Sequence, residues 1–406
     1  MDRRYIGEDN REVAPATSGE FEPLTIGPLS VWPPVVLAPM AGITNYPFRA
    51  VCRSFGAGLY VSEMITARPL VEGNARTDAL ARFGPDERPR SLQLYGVDPK
   101  TIGAAVTRLV GEGRVDHLDM NFGCPVPKIT RKGGGAALPL KWRLLRNIVR
   151  AAVHAAGDVP VTIKVRMGID DVHLSYLRAG EIARDEGCAA IGLHARTAEQ
   201  FYAGHARWEA IGELKSHLGR FPVLGNGDIW EGFDALRMMR ATGCDGVIVG
   251  RGCLGRPWLF RDLADLFDGR LPADPPAFGE VARVMLEHLE RSLAWFNDPT
   301  QIPGSDDPLA RRATVHAFRK HASWYTKGFR DGARARQALM AVDTLDELRA
   351  LLGTLDPREP FPPDAMRAVR GKSGRRQRVA LPAGYLTNLD DDAPPCRDAG
   401  AAASGG

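Results

Sequence analysis

From residue 35 onward the sequence alternates between short apolar runs and longer segments with apolar residues at helical spacing. The runs fall at 35–40, 59–64, 92–95, 117–122, 161–165, 190–195, 223–225 and 246–249. A strand followed each time by a helix implies parallel pairing, because parallel neighbours need a long crossover where antiparallel ones need only a tight turn. About eight such units in some 240 residues is the size of a (β/α)8 TIM barrel, the α/β fold expected over 31–275. An open doubly wound sheet shares the alternation, but it gathers functional side chains at one switch point, whereas a barrel spreads them over the C-terminal ends of many strands. Here almost every run ends in a polar or turn-forming group: Pro39-Met40-Ala41, Glu63, Gln93, Asn121 with Cys124, Lys164 with Arg166, His194 with Arg196, Asn226 with Asp228, and Gly250-Arg251. That distribution favours the barrel.

Past residue 276 the strand pattern stops. Residues 280–296 and 309–325 are amphipathic at helical spacing, and a third helix is expected near 332–352, which makes a small all-helical C-terminal domain over 276–355. Residues 1–30 are polar and rich in Gly, Pro and Glu, the composition of a flexible arm. Residues 356–406 are Pro-rich, carry a basic run at 370–378 and end in acidic and small residues, the composition of a disordered tail.

Composition changes this picture little. With 44% hydrophobic and 25% charged residues the chain can bury a large core. It has no apolar run long enough to span a bilayer, and its charged start lacks the apolar stretch of a secretory leader, so a cytoplasmic protein is expected. The cysteines are scattered, without Cys-x-x-Cys spacing or a nearby His, so no metal site is expected. A formal net charge of +4 neither requires nor excludes a polyanionic partner, which local patches must decide.

The chemistry is densest at 119–135. Cys124 stands between Gly123 and Pro125 at the end of a strand, followed by Lys128, Arg131, Lys132 and three glycines. A thiol on a restricted loop is well placed to meet a ligand, although a small buried thiol also serves as packing. Two glycine-rich turns, at 225–228 and 250–252, follow the seventh and eighth strands, where this fold commonly holds a phosphate on backbone N–H groups, and Arg251 adds a charge. Residues 250–255 match G-x-G-x-x-G, but no strand ending in Asp or Glu follows about 20 residues on, so a dinucleotide fold is rejected. Lys164 and Arg166 alternate along one strand and face the same way; two cations aimed into a barrel call for an anion, such as the N1–C2=O2 edge of a reduced flavin. Gln93 and Asn121 offer amide donors and acceptors suited to a flavin ring or a pyrimidine.

Taken together, the segments at 37–45 (LAPMAGITN), 119–125 (DMNFGCP), 194–197 (HART), 225–228 (GNGD) and 250–252 (GRG) resemble the tRNA-dihydrouridine synthases, and 319–328 (RKHASWYTKG) is similar to the helical domain of their bacterial DusB-type subgroup. The resemblance covers roughly 31–352. It implies an FMN-dependent oxidoreductase that reduces the C5=C6 bond of a D-loop uridine in tRNA with NADPH, the hydride passing from flavin N5 to C6 and the proton from Cys124 to C5. Carried over residue by residue, it implies that Pro39, Met40, Ala41, Gln93, Lys164, His194, Asn226, Gly227, Asp228, Gly250 and Arg251 hold FMN and that Asn121 and Arg196 meet the uracil. For the tRNA backbone, Arg312, His316, Arg319 or Lys320, and Lys327 recur at helical spacing on and beyond 309–325, with Lys128, Arg131 and Lys132 or the basic run 370–378 as alternative contacts. Two rivals are an FMN barrel oxidoreductase acting on a free pyrimidine or a dihydroorotate-like molecule, and a non-catalytic RNA-binding protein; the basic helical domain argues against the first, and the presence of Lys164, Cys124 and Arg251 against the second.

Overall fold

A computed structural model of the chain describes residues 1–302, 304–330 and 332–395. Two short strands, β1 (Leu24–Ile26) and β2 (Leu29–Val31), form an antiparallel hairpin. Eight parallel strands follow: β3 (Val35–Leu37), β4 (Leu59–Thr66), β5 (Ser91–Tyr95), β6 (His117–Phe122), β7 (Val161–Arg166), β8 (Ala190–His194), β9 (Val223–Asn226) and β10 (Gly246–Val249). They close into a barrel when β10 pairs with β3, Val247 opposite Val35 and Val249 opposite Leu37. Helices between the strands form the outer shell, several with a side-chain cap at the start: Asn45 on Phe48 N–H, Asp98 on Lys100 and Thr101 N–H.

Inward and outward side chains alternate along each strand, and the two sides of the barrel interior differ. Val36, Val61, Leu224 and Ile248 join Leu24, Ile26 and Val31 of the hairpin in one apolar cluster, so the hairpin plugs the N-terminal end of the barrel. Gly246 allows this approach, because a Cβ there would meet Pro34 O at 2.8 Å. The inward positions of β5, β6 and β7 are polar instead: Ser91, Gln93, His117, Asp119, Thr162 and Lys164. Polar side chains inside the barrel are thereby gathered on β5 to β7, below the open C-terminal end.

The C-terminal helices are Phe278–Phe296, Pro308–Tyr325, Gly332–Leu339 and Leu345–Leu352. The expected single helix over 332–352 is two, because the Thr344 hydroxyl caps Glu347 N–H and starts a new one. Phe278, Met285, Phe318, Tyr325, Trp258 and Phe361 pack together between this layer and the barrel. No helix among the described residues is long and apolar enough to cross a membrane.

The first and last segments depart from their composition. Residues expected to form a flexible arm lie along the helix Gly232–Thr242: Glu231 accepts from Gly7 N–H at 2.9 Å, Asn10 donates to Asp234 at 2.8 Å, and Tyr5 and Asn10 are buried. A few anchors on two carboxylates suffice to hold a stretch that is polar on average. Likewise residues 357–395, expected to be disordered, run as an extended strap from the helical layer across the barrel mouth, fixed by buried Phe361, Met366, Arg370 and Tyr385. Residues 396–406 of the expected tail lie outside the described residues.

Candidate functional site

The strand ends enclose a cleft of about 1250 Å³, open mouth included. Its wall contains Pro39, Met40, Ala41, Gln93, Asn121, Cys124, Lys164, His194, Arg196, Asn226, Gly227, Asp228, Gly250 and Arg251. Residues drawn from seven separate strand ends therefore meet in one cavity. Lys128, Arg131, Lys132, Arg312, Lys320 and Lys327 are not part of its wall.

A hydrogen-bonded chain rises through the polar side of the barrel to the cleft floor. His117 Nε2 lies 3.0 Å from Thr162 Oγ1, which donates to Asp119 Oδ1 at 2.7 Å. Gln93 Nε2 donates to Asp119 Oδ2 at 2.7 Å, Asn121 Nδ2 donates to Gln93 Oε1 at 2.8 Å, and Asn121 Oδ1 accepts from Cys124 N–H at 3.1 Å. Burial pushes His117 down to about 3, so it stays neutral, and pushes Asp119 up to about 6, against the hydrogen bonds from Thr162 and Gln93. The chain fixes both amides: each carbonyl is engaged within the protein, leaving Gln93 and Asn121 one N–H each for a ligand.

Cations gather at the end of β7 and beyond the ends of β8 and β10. Lys164 Nζ donates to Asn226 Oδ1 at 2.9 Å, and its pKa falls to about 8 through burial and then the charge of Arg166. Arg166 is committed to carbonyls, Gly123 at 3.1 Å and Phe201 at 2.8 Å, and so ties the Cys124 loop to the loop after β8. Arg196 is buried and pairs with both Asp228 oxygens at 2.8 Å, with Nη1 3.4 Å from His194 Nε2. This leaves Arg196 less free to meet a uracil than its position in the sequence implies. Burial lowers the pKa of His194 well below its usual value, with neighbouring Arg166 adding to the effect, so its ring is neutral. Arg251 is held between the rings of Tyr202, at 4.4 Å, and Trp230, at 5.1 Å, and lies 3.8 Å from Asp228.

The two glycine turns leave room in the cleft wall. Gly227 has φ +129°, and a Cβ there would meet Ala206 Cβ at 2.6 Å. Gly252 sits so close to Ile229 O that a Cβ would lie 2.1 Å from it. Only glycine allows these approaches.

Cys124 is half-buried just beyond the end of β6, beside Arg166. Burial raises its thiol pKa above the ordinary value, opposed in part by the backbone N–H of Val126 and the charges of Arg166 and Lys372. A thiol in this setting keeps its proton at neutral pH and can donate it. Its loop is rigid: Cys124 O accepts from Ala136 N–H at 3.0 Å, and Gly135, at φ +55°, leaves no space there for a side chain.

The cations expected to form a basic face on the third domain are mostly committed. Arg312, His316 and Arg319 converge on Asp343 at 2.6, 2.5 and 3.1 Å. Lys320 Nζ donates to Gly42 O at 2.5 Å and lines a second cleft between barrel and helices with Glu63 and Arg76. Lys327 Nζ donates to Val369 O at 2.8 Å and so holds the strap. A search for acids within the helix misses Asp343 because it reaches back from the turn two helices later. Lys128 and Arg131 are exposed beside the Cys124 loop, and Lys132 is half-buried. Sequence reasoning also missed Asp119, Thr162, Tyr202, Trp230 and Lys372 as parts of the site. The alternation Asp119–Asn121 along β6 was the one available signal for the acid; the loop aromatics carried none, and Lys372 was visible only as part of the basic run 370–378, not as part of the cleft.

The fold and cleft together define the class: a (β/α)8 barrel whose ligand site lies over the C-terminal strand ends, with a helical layer beside its mouth. Residues 36–357 match the sequence model for Dihydrouridine synthase (Dus), and the chain belongs to the dihydrouridine synthase family. A probable tRNA-dihydrouridine synthase of Mycobacterium tuberculosis (strain ATCC 25618 / H37Rv) is 52% identical over 392 residues, covering 94% of this chain and 97% of the relative. One from Mycobacterium leprae (strain TN) is 50% identical, covering 89% and 97%. The tRNA-dihydrouridine synthase B of Xanthomonas axonopodis pv. citri (strain 306) is 35% identical over 328 residues, covering 81% of this chain and 94% of the relative.

Proposed function

We propose that the protein is an FMN-dependent, NADPH-driven tRNA-dihydrouridine synthase that saturates the C5=C6 bond of a D-loop uridine. The observation that carries this reading is the meeting, in one cleft, of a thiol that burial keeps protonated with a surplus of buried cations. Among the described residues, the carboxylates that Lys164, Arg166, Arg196 and Arg251 face are Asp228 and Asp119, so the cleft is electrostatically incomplete without an anion. A flavin mononucleotide would fit that demand: Arg251 and the turns at 225–228 and 250–252 would hold its phosphate, and Met40 and Lys164 would hold its ring. When bound and supplied by NADPH, FMN contributes the hydride that goes to C6 of the uracil.

The chain's own residues do the rest. The remaining N–H groups of Lys164 present positive charge to the ring edge, and the amides of Gln93 and Asn121, held by Asp119, present fixed donors to ring or base. Cys124 gives its proton to C5 as negative charge develops across C5 and O4. Arg166 keeps the thiol loop in place by its bonds to Gly123 and Phe201. The base has to be unstacked to reach these groups, which costs a few kcal/mol and less in a loop already distorted. Purified protein is expected to be yellow, to lose FMN more readily as Arg251→Ala, and to form dihydrouridine in tRNA with NADPH. A protein that cannot be loaded with FMN, or that leaves tRNA unmodified, overturns the reading.

A further inference from the structure

Beyond residue 357 the family model has no counterpart, whereas the mycobacterial relatives align over most of the whole chain. That extra segment is built into the site. Arg367 bridges Glu231 and Asp234 at 2.7 and 3.2 Å, and buried Arg370 donates to Ala365 O at 2.9 Å and Trp324 O at 3.1 Å, which fixes where the strap leaves the helical layer. Lys372 then enters the cleft wall, its carbonyl accepting from Arg251 Nη1 at 3.1 Å. Gly374 lies against the Phe201 ring, and Gln377 Nε2 donates to Pro125 O at 2.8 Å and Ala198 O at 3.2 Å. Phe201 and Pro125 are themselves cleft-wall residues, so 372–377 forms a rim over the ends of β6 to β8. Farther on, the Tyr385 hydroxyl donates to Gly133 O at 3.1 Å and clamps the strap to the loop that carries Cys124.

This rim is strongly positive. Lys372, Arg375, Arg376 and Arg378 are exposed; Glu199 and Asp170 line a groove with Arg376 and Arg378, and of these carboxylates Glu199 pairs with Arg376, at 3.7 Å. No ion pair engages Lys372, Arg375 or Arg378 among the described residues. The helical domain, by contrast, spends Arg312, His316 and Arg319 on Asp343 and Lys327 on the strap itself. Exposed Lys128 and Arg131 continue the rim along the Cys124 loop. Uncommitted arginines fixed at the mouth of a base-binding cleft are the groups that bind a nucleic-acid backbone.

We infer that the strap is part of the tRNA-binding surface, with Arg375 and Arg378 contacting backbone phosphates at the barrel mouth and Lys372 acting as a positioning residue for the inserted uridine beside Cys124. The inference rests on the tRNA substrate proposed above. It assigns to this chain a contact surface outside the part shared with the family model, one that holds the polyanion within reach of the thiol without reading its sequence.

Full-length, FMN-loaded protein tests it. Arg375→Ala with Arg378→Ala is expected to raise KM and Kd for tRNA about tenfold and to reduce the slope of log K against log salt by up to about two, the loss falling in KM rather than kcat. Arg375→Lys with Arg378→Lys is expected to restore most of the affinity, since a phosphate contact needs charge. Lys372→Ala is expected to raise KM, and Lys372→Arg to recover it. Flavin content measured for each variant reports that the barrel is intact. Wild-type affinity and salt slope in the double alanine variant, beside an active wild-type enzyme, would overturn the strap's role alone. Tighter tRNA binding in that variant would overturn it too, since it would make the strap an obstruction. A wild-type protein that modifies no tRNA would overturn the substrate reading and the strap's role together.

Discussion

Cys124 holds its proton because burial opposes the thiolate more than Arg166 and Lys372 favour it. Cys124→Ala is therefore expected to leave NADPH bleaching of the flavin in place while dihydrouridine formation falls by roughly 10²-fold or more, the usual weight of a general acid. Stopped-flow absorbance and nucleoside analysis separate the two; product at the normal rate would assign the proton to another group. The sign of the pH dependence follows from the same shift. A donor whose pKa is raised is competent at every pH below it, so the rate of the uridine half-reaction should stay flat through neutrality and fall only above the ordinary thiol range. At this scale the sequence was legible in residue type: a thiol, two amides and two alternating cations could be seen at strand ends. It did not show that Asp119 and Thr162 aim the amides, because hydrogen-bond partners on neighbouring strands depend on register. Nor did it show that Arg196 is spent on Asp228, a pair 32 residues apart in the chain.

Glu231 does more than its place in a loop indicates. It shares a capping box with Asp234 at the start of Gly232–Thr242, accepts from Gly7 N–H, and meets Arg367 of the strap. The arm and the strap are thus both tied to one helix start, an anchor that their composition does not show. The eight strands were visible because a buried parallel strand must be apolar for several residues at a stretch; the arm and strap were not, because a few buried anchors in a polar segment leave no period. Glu231→Ala is expected to destabilise the protein by about 2 kcal/mol, since it leaves Gly7 N–H and the capped N–H of Asp234 without their acceptor and reduces Arg367 to its pairing with Asp234. Urea unfolding would measure the loss. Limited proteolysis offers an independent check: cleavage within residues 1–17 should be slow in the wild type and fast in the variant. Equal cleavage in both would mean that the arm is not held at Glu231.

Across the molecule, the apolar plug at one end of the barrel and the positive cleft at the other divide stability from function. Lys164 sits on the functional side, where burial and Arg166 bring its pKa down to about 8, against an ordinary lysine value near 10.4. Its charge therefore costs folding stability at neutral pH, a cost fully present below about 8 and relieved as the pH rises toward the unfolded value. An acceptor or anion placed against the ammonium favours the charged form, so ligand binding takes up a proton on Lys164 wherever the free protein holds it neutral. FMN should accordingly bind more tightly at pH 7 than at pH 9, and should raise Tm by a larger margin at the lower pH. Fluorescence titration gives the first quantity and calorimetry of loaded and stripped protein the second. In Lys164→Met the difference between the two pH values should shrink, although the variant also leaves Asp119 without its buried cation and is expected to be less stable overall. A flavin affinity that does not change between pH 7 and 9 in the wild type would mean that Lys164 does not face the bound ring, and the assignment of the flavin edge to β7 would fall with it.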